Sequence, residues 1–199
     1  MCKIVGLTGG IGCGKTTVLR EFEKLGVPCF VMDDEAKKLY DDPVIAYKVK
    51  SIFSNSEDIT DENGGIDRKK LGEIVFRDSY ALKELNSLIH PMVRENFWKW
   101  CEDHSNYDYI IVESAILYET GFDKFCDEII VVYLEENERI KRLIERDHTD
   151  IHHIRQRMVR QMPAEQKMLM ADYLVLNYEG NPREKQVQII DRNIRKTIQ

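Results

Sequence analysis

Residues 3–18, KIVGLTGGIGCGKTTV, restrict the chain more than any other stretch: an apolar run, then Gly9, Gly10, Gly12 and Gly14, then Lys15-Thr16 at the head of a helical pattern. Glycine has the most backbone freedom to lose on folding, so a cluster of it marks a loop that needs unusual backbone angles or close backbone approach. Lys3–Thr8 reads as a strand, and Val18, Leu19, Phe22 and Leu25 fall on one face of a helix. A loop at that junction presents bare amides at a helix N-terminus, where the dipole favours an anion. The spacing Gly9-x-x-x-x-Gly14-Lys15-Thr16 is that of a nucleoside triphosphate loop. In it the backbone of Gly10, Ile11, Gly12, Cys13, Gly14, Lys15, Thr16 and Thr17 surrounds phosphate, Lys15 reaches the outer phosphates and the Thr16 hydroxyl ligates Mg²⁺. What such a loop leaves open is the acceptor of the terminal phosphate.

Four further β-like runs, at 27–32, 109–113, 129–134 and 173–177, alternate with helical patterns. Several are apolar nearly throughout, as parallel strands covered on both faces are, so the expected fold is a three-layer α/β domain over 1–199 with a five-stranded parallel sheet. Ligands in such folds gather at the carboxyl ends of the strands. That rule points at the glycine loop, at Asp33-Asp34, at Glu113 and at Asn177. The second and third runs are separated by about 75 residues with several helical patterns and no strand, far more than one crossover needs. A helical insert at about 43–104 is expected there, with a polar surface loop at 55–65, and it is a natural place to hold the acceptor.

Composition narrows the partners. With 43% hydrophobic residues in 199 the chain can bury a proper core. A net charge of −6 argues against a general nucleic-acid or membrane-surface binder, which would carry a basic excess. The longest apolar runs are of strand length, and the first residues lead straight into the first strand, so neither a membrane span nor a signal peptide is expected and the chain is placed in the cytoplasm. Five cysteines without a C-x-x-C pair suggest reduced thiols.

Against the acidic balance, arginines concentrate late in the chain: Arg139, Arg142 and Arg146 in ENERIKRLIERD, then Arg155, Arg157 and Arg160. Arg142 and Arg146 are four apart and share a helical face. Such a face is either solvated or, downstream of a phosphate loop, a lid over about 137–165 that closes its guanidinium groups on the transferring phosphate.

The chain resembles the dephospho-CoA kinase family. GLTGGIGCGKTTV matches that family's loop and Asp33 its acidic residue after strand two. DRKKLGEIVF and LIHPMV match the middle segment. QRMVRQMPAEQKMLMADYLVLN matches the late segment, with Arg157, Gln161, Lys167, Ala171, Asp172 and Asn177 in register, so the similarity runs from about residue 3 to 180. It departs after strand three, where ESAILYE has Ala115 in place of the family's proline but keeps Glu113 and Glu119. The resemblance implies the P-loop kinase fold, ATP as donor with Mg²⁺, and dephospho-CoA as a small-molecule acceptor with no obligatory protein partner. It favours Asp33 as general base and places substrate contacts at Arg68, His90 and Glu113; in the lid reading Arg142 has a catalytic role and Arg146 lies on the nucleotide.

Several of these residues admit a second reading. Asp33 either accepts the acceptor's proton or caps the following helix, and Asp34 could serve as the cap instead. Glu113 ends an apolar strand, where an acid helps hold Mg²⁺, or it merely pairs with a nearby cation. His90 precedes a proline, a setting where histidine packs or caps more often than it binds. Asn177 either reads an adenine edge or belongs to the turn at NYEGN. The Cys13 thiol is either inert or depressed in pKa by the loop amides and Lys15, in which case MgATP would shield it. A GTP switch is disfavoured by the absence of Asn-Lys-x-Asp. A nucleoside monophosphate kinase and a nonenzymatic nucleotide-binding regulator stand as rivals.

Overall fold

The computed structural model describes residues 2–54 and 58–198, so positions 55–57 of the expected polar loop lie outside the described residues. The elements are β1 (Lys3–Thr8), α1 (Lys15–Lys24), β2 (Cys29–Val31), α2 (Met32–Leu39), α3 (Pro43–Ile52), α4 (Arg68–Arg77), α5 (Ser79–Asp103), β3 (Tyr109–Glu113), β4 (Glu128–Tyr133), α6 (Glu136–Asp147), α7 (Ile151–Val159), α8 (Ala164–Leu169), β5 (Tyr173–Leu176) and α9 (Arg183–Lys196). They divide into two compact units, Met1–Val31 with Asp103–Gln199, and Met32–Glu102.

The first unit holds the sheet, five parallel strands in the order β2-β3-β1-β4-β5. Its apolar strands are buried on both faces. Val5, Leu7, Tyr109, Ile111, Ile130 and Val132 form one cluster with Val18, Leu19 and Phe22 of α1 and Val187, Ile190 and Ile194 of α9. The alternate residues, Ile110, Val112 and Val131, are buried on the other face, where Leu117 packs so closely that a Cβ on Gly6 would lie 2.7 Å from its Cδ2. This double burial is why the runs carry no polar alternation. The second strand is shorter than its apolar run. The Val27 amide turns back to Phe22 O at 3.2 Å, Pro28 has no N–H to give, and the ladder starts only at Cys29. At its far end α2 begins at Met32, so neither Asp33 nor Asp34 is an N-cap: both lie inside the first turn, where acidic side chains suit the dipole.

In the helical unit three aspartates start three helices. Asp42 accepts from the amides of Val44 and Ile45 ahead of α3, with Pro43 as its first residue; Asp67 accepts from Lys69 and Lys70 ahead of α4; Asp78 accepts from Tyr80 and Ala81 at the head of α5. Each cap is worth about 1 kcal/mol. No helix among the described residues is long and apolar enough to cross a membrane.

The last helix is fastened by a buried polar contact. Tyr109, 1% exposed, donates its hydroxyl to Asp191 Oδ1 at 2.7 Å. Arg195 Nε donates to the same oxygen at 2.9 Å, and its Cζ lies 5.4 Å from the centre of the Tyr109 ring. Tyr109→Phe keeps the packing and the Arg195 contact but removes one hydrogen bond to a carboxylate. It should cost about 1–2 kcal/mol, lower the thermal midpoint by about 2–8 °C and leave steady-state kinetics unchanged. A midpoint equal to that of the wild type in differential scanning calorimetry would show the contact to be dispensable.

Candidate functional site

The glycine loop joins β1 to α1 with Gly14 as the helix N-cap at φ 92°, a left-handed angle that disfavours any side chain. A Cβ there would also lie 2.2 Å from Asn177 Nδ2. Beyond the cap, Thr17 N and Val18 N turn to Gly14 O at 3.1 and 3.2 Å. Among the described residues no acceptor is found for the amides of Gly12, Gly14 and Thr16. Those are orphan donors at a helix start, which an anion satisfies. Lys15 adds a full charge. Its Nζ lies 3.1 Å from Gly9 O and 3.7 Å from Glu113 Oε1, so the carboxylate ending β3 faces the loop lysine within this unit. The Thr16 side chain is exposed in the first turn of α1.

Side chains from distant parts of the sequence hold the loop. Asn177, directly after β5 and 1% exposed, donates Nδ2 to Cys13 O at 2.6 Å, and its Oδ1 accepts from Arg183 Nη1 at 2.9 Å. Both ends of its amide are thereby engaged by the protein, one hydrogen bond each, and the side chain serves the fold whether or not it also meets a nucleotide. Ile11 N donates to Gln161 Oε1 at 2.8 Å, so this amide too is engaged within the protein rather than offered to phosphate.

For Cys13 the structure favours the inert of its two readings. Its side chain is fully buried, and burial pushes the thiol above its ordinary range, outweighing Lys15, which acts the other way through its charge and its amide. The thiol is core, not a reactive group.

Behind Glu113, the Ala115 carbonyl accepts from Lys167 Nζ at 2.7 Å, and Lys167 also pairs with Glu119 Oε1 at 2.9 Å. The bond to residue 115 is made by a carbonyl, so the change from proline to alanine leaves it intact. Lys167 is 0% exposed, and burial holds its ammonium below the ordinary lysine range while Glu119 opposes that shift. Glu119 Oε1 accepts from Met162 N at 2.7 Å as well, tying the segment after β3 to the one that supplies Gln161.

Of the paired arginines on α6, Arg142 reaches the loop: its Nη2 donates to Asn177 O at 3.3 Å and its Nη1 lies 3.8 Å from where a Gly14 Cβ would be. Arg146 is turned to Asp147, with Nε–Oδ1 at 2.6 Å, and Arg157 Nη1 meets the same carboxylate at 3.0 Å. In the helical unit Asp33 and Asp34 are both exposed, but Asp34 pairs with Lys37 at 2.7 Å whereas Asp33 has no hydrogen bond or ion pair among the described residues. Arg68 donates to Asp41 Oδ1 at 2.5 Å. His90 is exposed at its edge, yet partial desolvation holds its ring below the ordinary imidazole range, with the Asp33 charge pulling the other way.

Gln161 and Lys167 were visible in sequence only as matched positions without a task, since a lone amide in the bend between two helices or a lysine on a short helix carries no signal of what it will touch. The buried Cys13 thiol makes a measurable difference. In the native protein without nucleotide, iodoacetamide at neutral pH should modify Cys13 at least about tenfold more slowly than in the denatured chain, and MgATP should not alter the rate, because burial and a raised pKa both suppress the thiolate. Fast labelling blocked by MgATP, mapped by mass spectrometry, would reinstate a reactive thiol.

The dephospho-CoA kinase family profile matches residues 3–182. A dephospho-CoA kinase of Fusobacterium nucleatum is 37% identical over 174 residues, covering 87% of this chain and 89% of its own. Among solved structures, dephospho-CoA kinase from Campylobacter jejuni superposes with a TM-score of 0.73 at 27% identity, with full coverage of both chains. A Thermus thermophilus protein at 24% identity shares the fold with a TM-score of 0.84 over 96% of this chain and 97% of its own. A match that spans the loop, the helical unit and the arginine-bearing segments alike means that the chain belongs to the dephospho-CoA kinase family.

Proposed function

We propose that the protein transfers the γ-phosphate of ATP to the ribose 3′-hydroxyl of dephospho-coenzyme A, yielding coenzyme A. The observation that carries this reading is the loop of orphan amides with Lys15 beside Glu113, in a chain whose family match runs on through the helical unit where an acceptor would be held. The breadth of that match disfavours a nucleoside monophosphate kinase or a nonenzymatic regulator. The acidic balance fits a cytoplasmic enzyme acting on a small molecule without a nucleic-acid or membrane partner.

Phosphoryl transfer depends mainly on positioning and on neutralising charge at the γ-oxygens. In this reading the amides of Gly12, Gly14 and Thr16 bind phosphate oxygens, Lys15 leaves Gly9 O for the outer phosphates, and Arg142, already against the loop, donates to the transferring group. Arg146 would have to exchange Asp147 for a phosphate to join it. The Thr16 hydroxyl and the Glu113 carboxylate are the hard oxygen donors that suit Mg²⁺, Glu113 through water, and the ion would screen the β- and γ-phosphate charges. Asp33 orients the acceptor hydroxyl and takes its proton; unlike Asp34 it is not committed to a lysine. Arg68 and His90 contact the acceptor.

ATP consumption measured with dephospho-CoA, AMP, CMP, UMP, shikimate and buffer alone tests the assignment. Dephospho-CoA should stimulate turnover at least about 10²-fold over buffer. A preference for AMP or CMP would make the protein a monophosphate kinase, and slow hydrolysis with no acceptor effect would make it a regulator. Within the reaction, Asp33→Asn should lower kcat by about 10²-fold or more while Asp34→Asn changes it little. The reverse order would move the base to Asp34. Arg142→Ala should reduce kcat more than it raises KM for ATP, as expected for a contact that strengthens in the transition state. A raised KM with unchanged kcat would make Arg142 a ground-state contact.

A further inference from the structure

Arg139 is an arginine in the wrong place for a surface helix. It stands in α6 four residues before Leu143 and beside Ile140, on the buried face of that helix, and is 6% exposed. Ile140 and Leu143 form a cluster with Ile154 against which Ile11 of the loop packs, so this face of α6 meets the phosphate loop. The approach is close. A Cβ on Gly12 would lie 3.0 Å from Arg139 O and 2.9 Å from Leu143 Cγ, and one on Gly10 would lie 2.3 Å from Arg139 Nη1 and 3.1 Å from its Cζ. The guanidinium therefore rests against the loop backbone where a Gly10 side chain would begin.

Its Nε is buried without a hydrogen-bond partner, and the side chain has no ion pair among the described residues. Its field nevertheless reaches the loop, since Arg139 is one of the charges that oppose the burial shift of the Cys13 thiol. A buried cation without a counter-charge works against folding, and an apolar side chain of similar length would serve the packing better. Close to such a cation, in a low-dielectric setting, an anion is held more tightly than in water. The anion that this loop is built to receive is a polyphosphate.

We propose that Arg139 is a positioning residue for the nucleotide: from the buried face of α6 it braces Gly10 to Gly12 and sets a fixed positive charge against the loop, tightening the hold on polyphosphate. It acts through the loop, in contrast to Arg142 and Arg146, which are proposed to donate to phosphate directly. The inference rests on the loop's being the phosphate site.

The proposal requires effects of opposite sign. Removing the charge while keeping the bulk should leave the protein without nucleotide as stable or more stable, yet weaken polyphosphate binding. A merely structural arginine would lose stability and affinity together, whatever the ligand's charge. Full-length Arg139→Met and Arg139→Lys can be compared by thermal unfolding without nucleotide and by calorimetric binding of ATP, ADP and adenosine. In Arg139→Met the thermal midpoint should hold or rise, the ATP Kd should rise about tenfold or more, and the adenosine Kd should change by less than about twofold; Arg139→Lys should recover most of the ATP affinity. Equal weakening of ATP and adenosine, or an ATP Kd within about twofold of wild type in Arg139→Met, would overturn the proposal. If Arg139→Met does not fold, Arg139→Lys retaining ATP affinity while Arg139→Gln loses it supports the role, and equal ATP affinity in the two overturns it. A wild-type protein that bound no ATP would overturn the loop assignment itself, and this proposal with it.

Discussion

The hydrogen bond from Asn177 Nδ2 to Cys13 O, 2.6 Å long and buried, fixes the phosphate loop to the sheet. A loop rich in glycine loses much conformational freedom when it is ordered, and an anion that had to order it would bind that much more weakly. Here the protein meets the cost before any ligand arrives. Asn177 holds the loop at Cys13, Gln161 holds it at Ile11, and Arg139 with Leu143 closes on Gly10 and Gly12. Gly14, whose left-handed φ starts α1, leaves the space that Asn177 occupies. The clamp and the glycines are thus one arrangement.

The same economy governs the charges of the sheet unit. Glu113 faces Lys15, Glu119 neutralises the buried Lys167, and Asp147 collects Arg146 and Arg157. These pairs keep cations near the site without leaving them uncompensated, and the arginine pairs are exposed enough to exchange one anion for another at little cost. Arg139 differs from these: it is buried, its Nε has no hydrogen-bond partner and its side chain has no ion pair among the described residues.

The strands and the loop were legible because their physics is local. Apolar residues without alternation mean burial on both faces, and the strands β1 and β3 begin and end where their apolar runs do. The second strand was legible except at its ends, since the Val27 amide is drawn away by Phe22 O and Met32 already opens α2. Site residues divided along the same line. Lys15 and Thr16 are marked by spacing alone. Asn177 was marked by its place at a strand end, but an amide there serves a ligand or the protein equally well, and only the contacts with Cys13 and Arg183 decide. The Cys13 thiol looked activated from its neighbours in sequence, while burial, a property of the whole fold, dominates it. Arg139 could have been noticed as a charge four residues from Leu143 on an apolar stripe, though such an arginine ordinarily reads as solvated.

The claim that the loop is organised by the protein before nucleotide binds is tested most directly by the ATP dissociation constant of Asn177→Ala, measured by calorimetry on protein shown to be folded. Loss of the clamp should raise the ATP Kd by about tenfold or more, because binding must then order the loop as well. An ATP Kd within about twofold of wild type would contradict the account and leave Asn177 a contact of the fold alone.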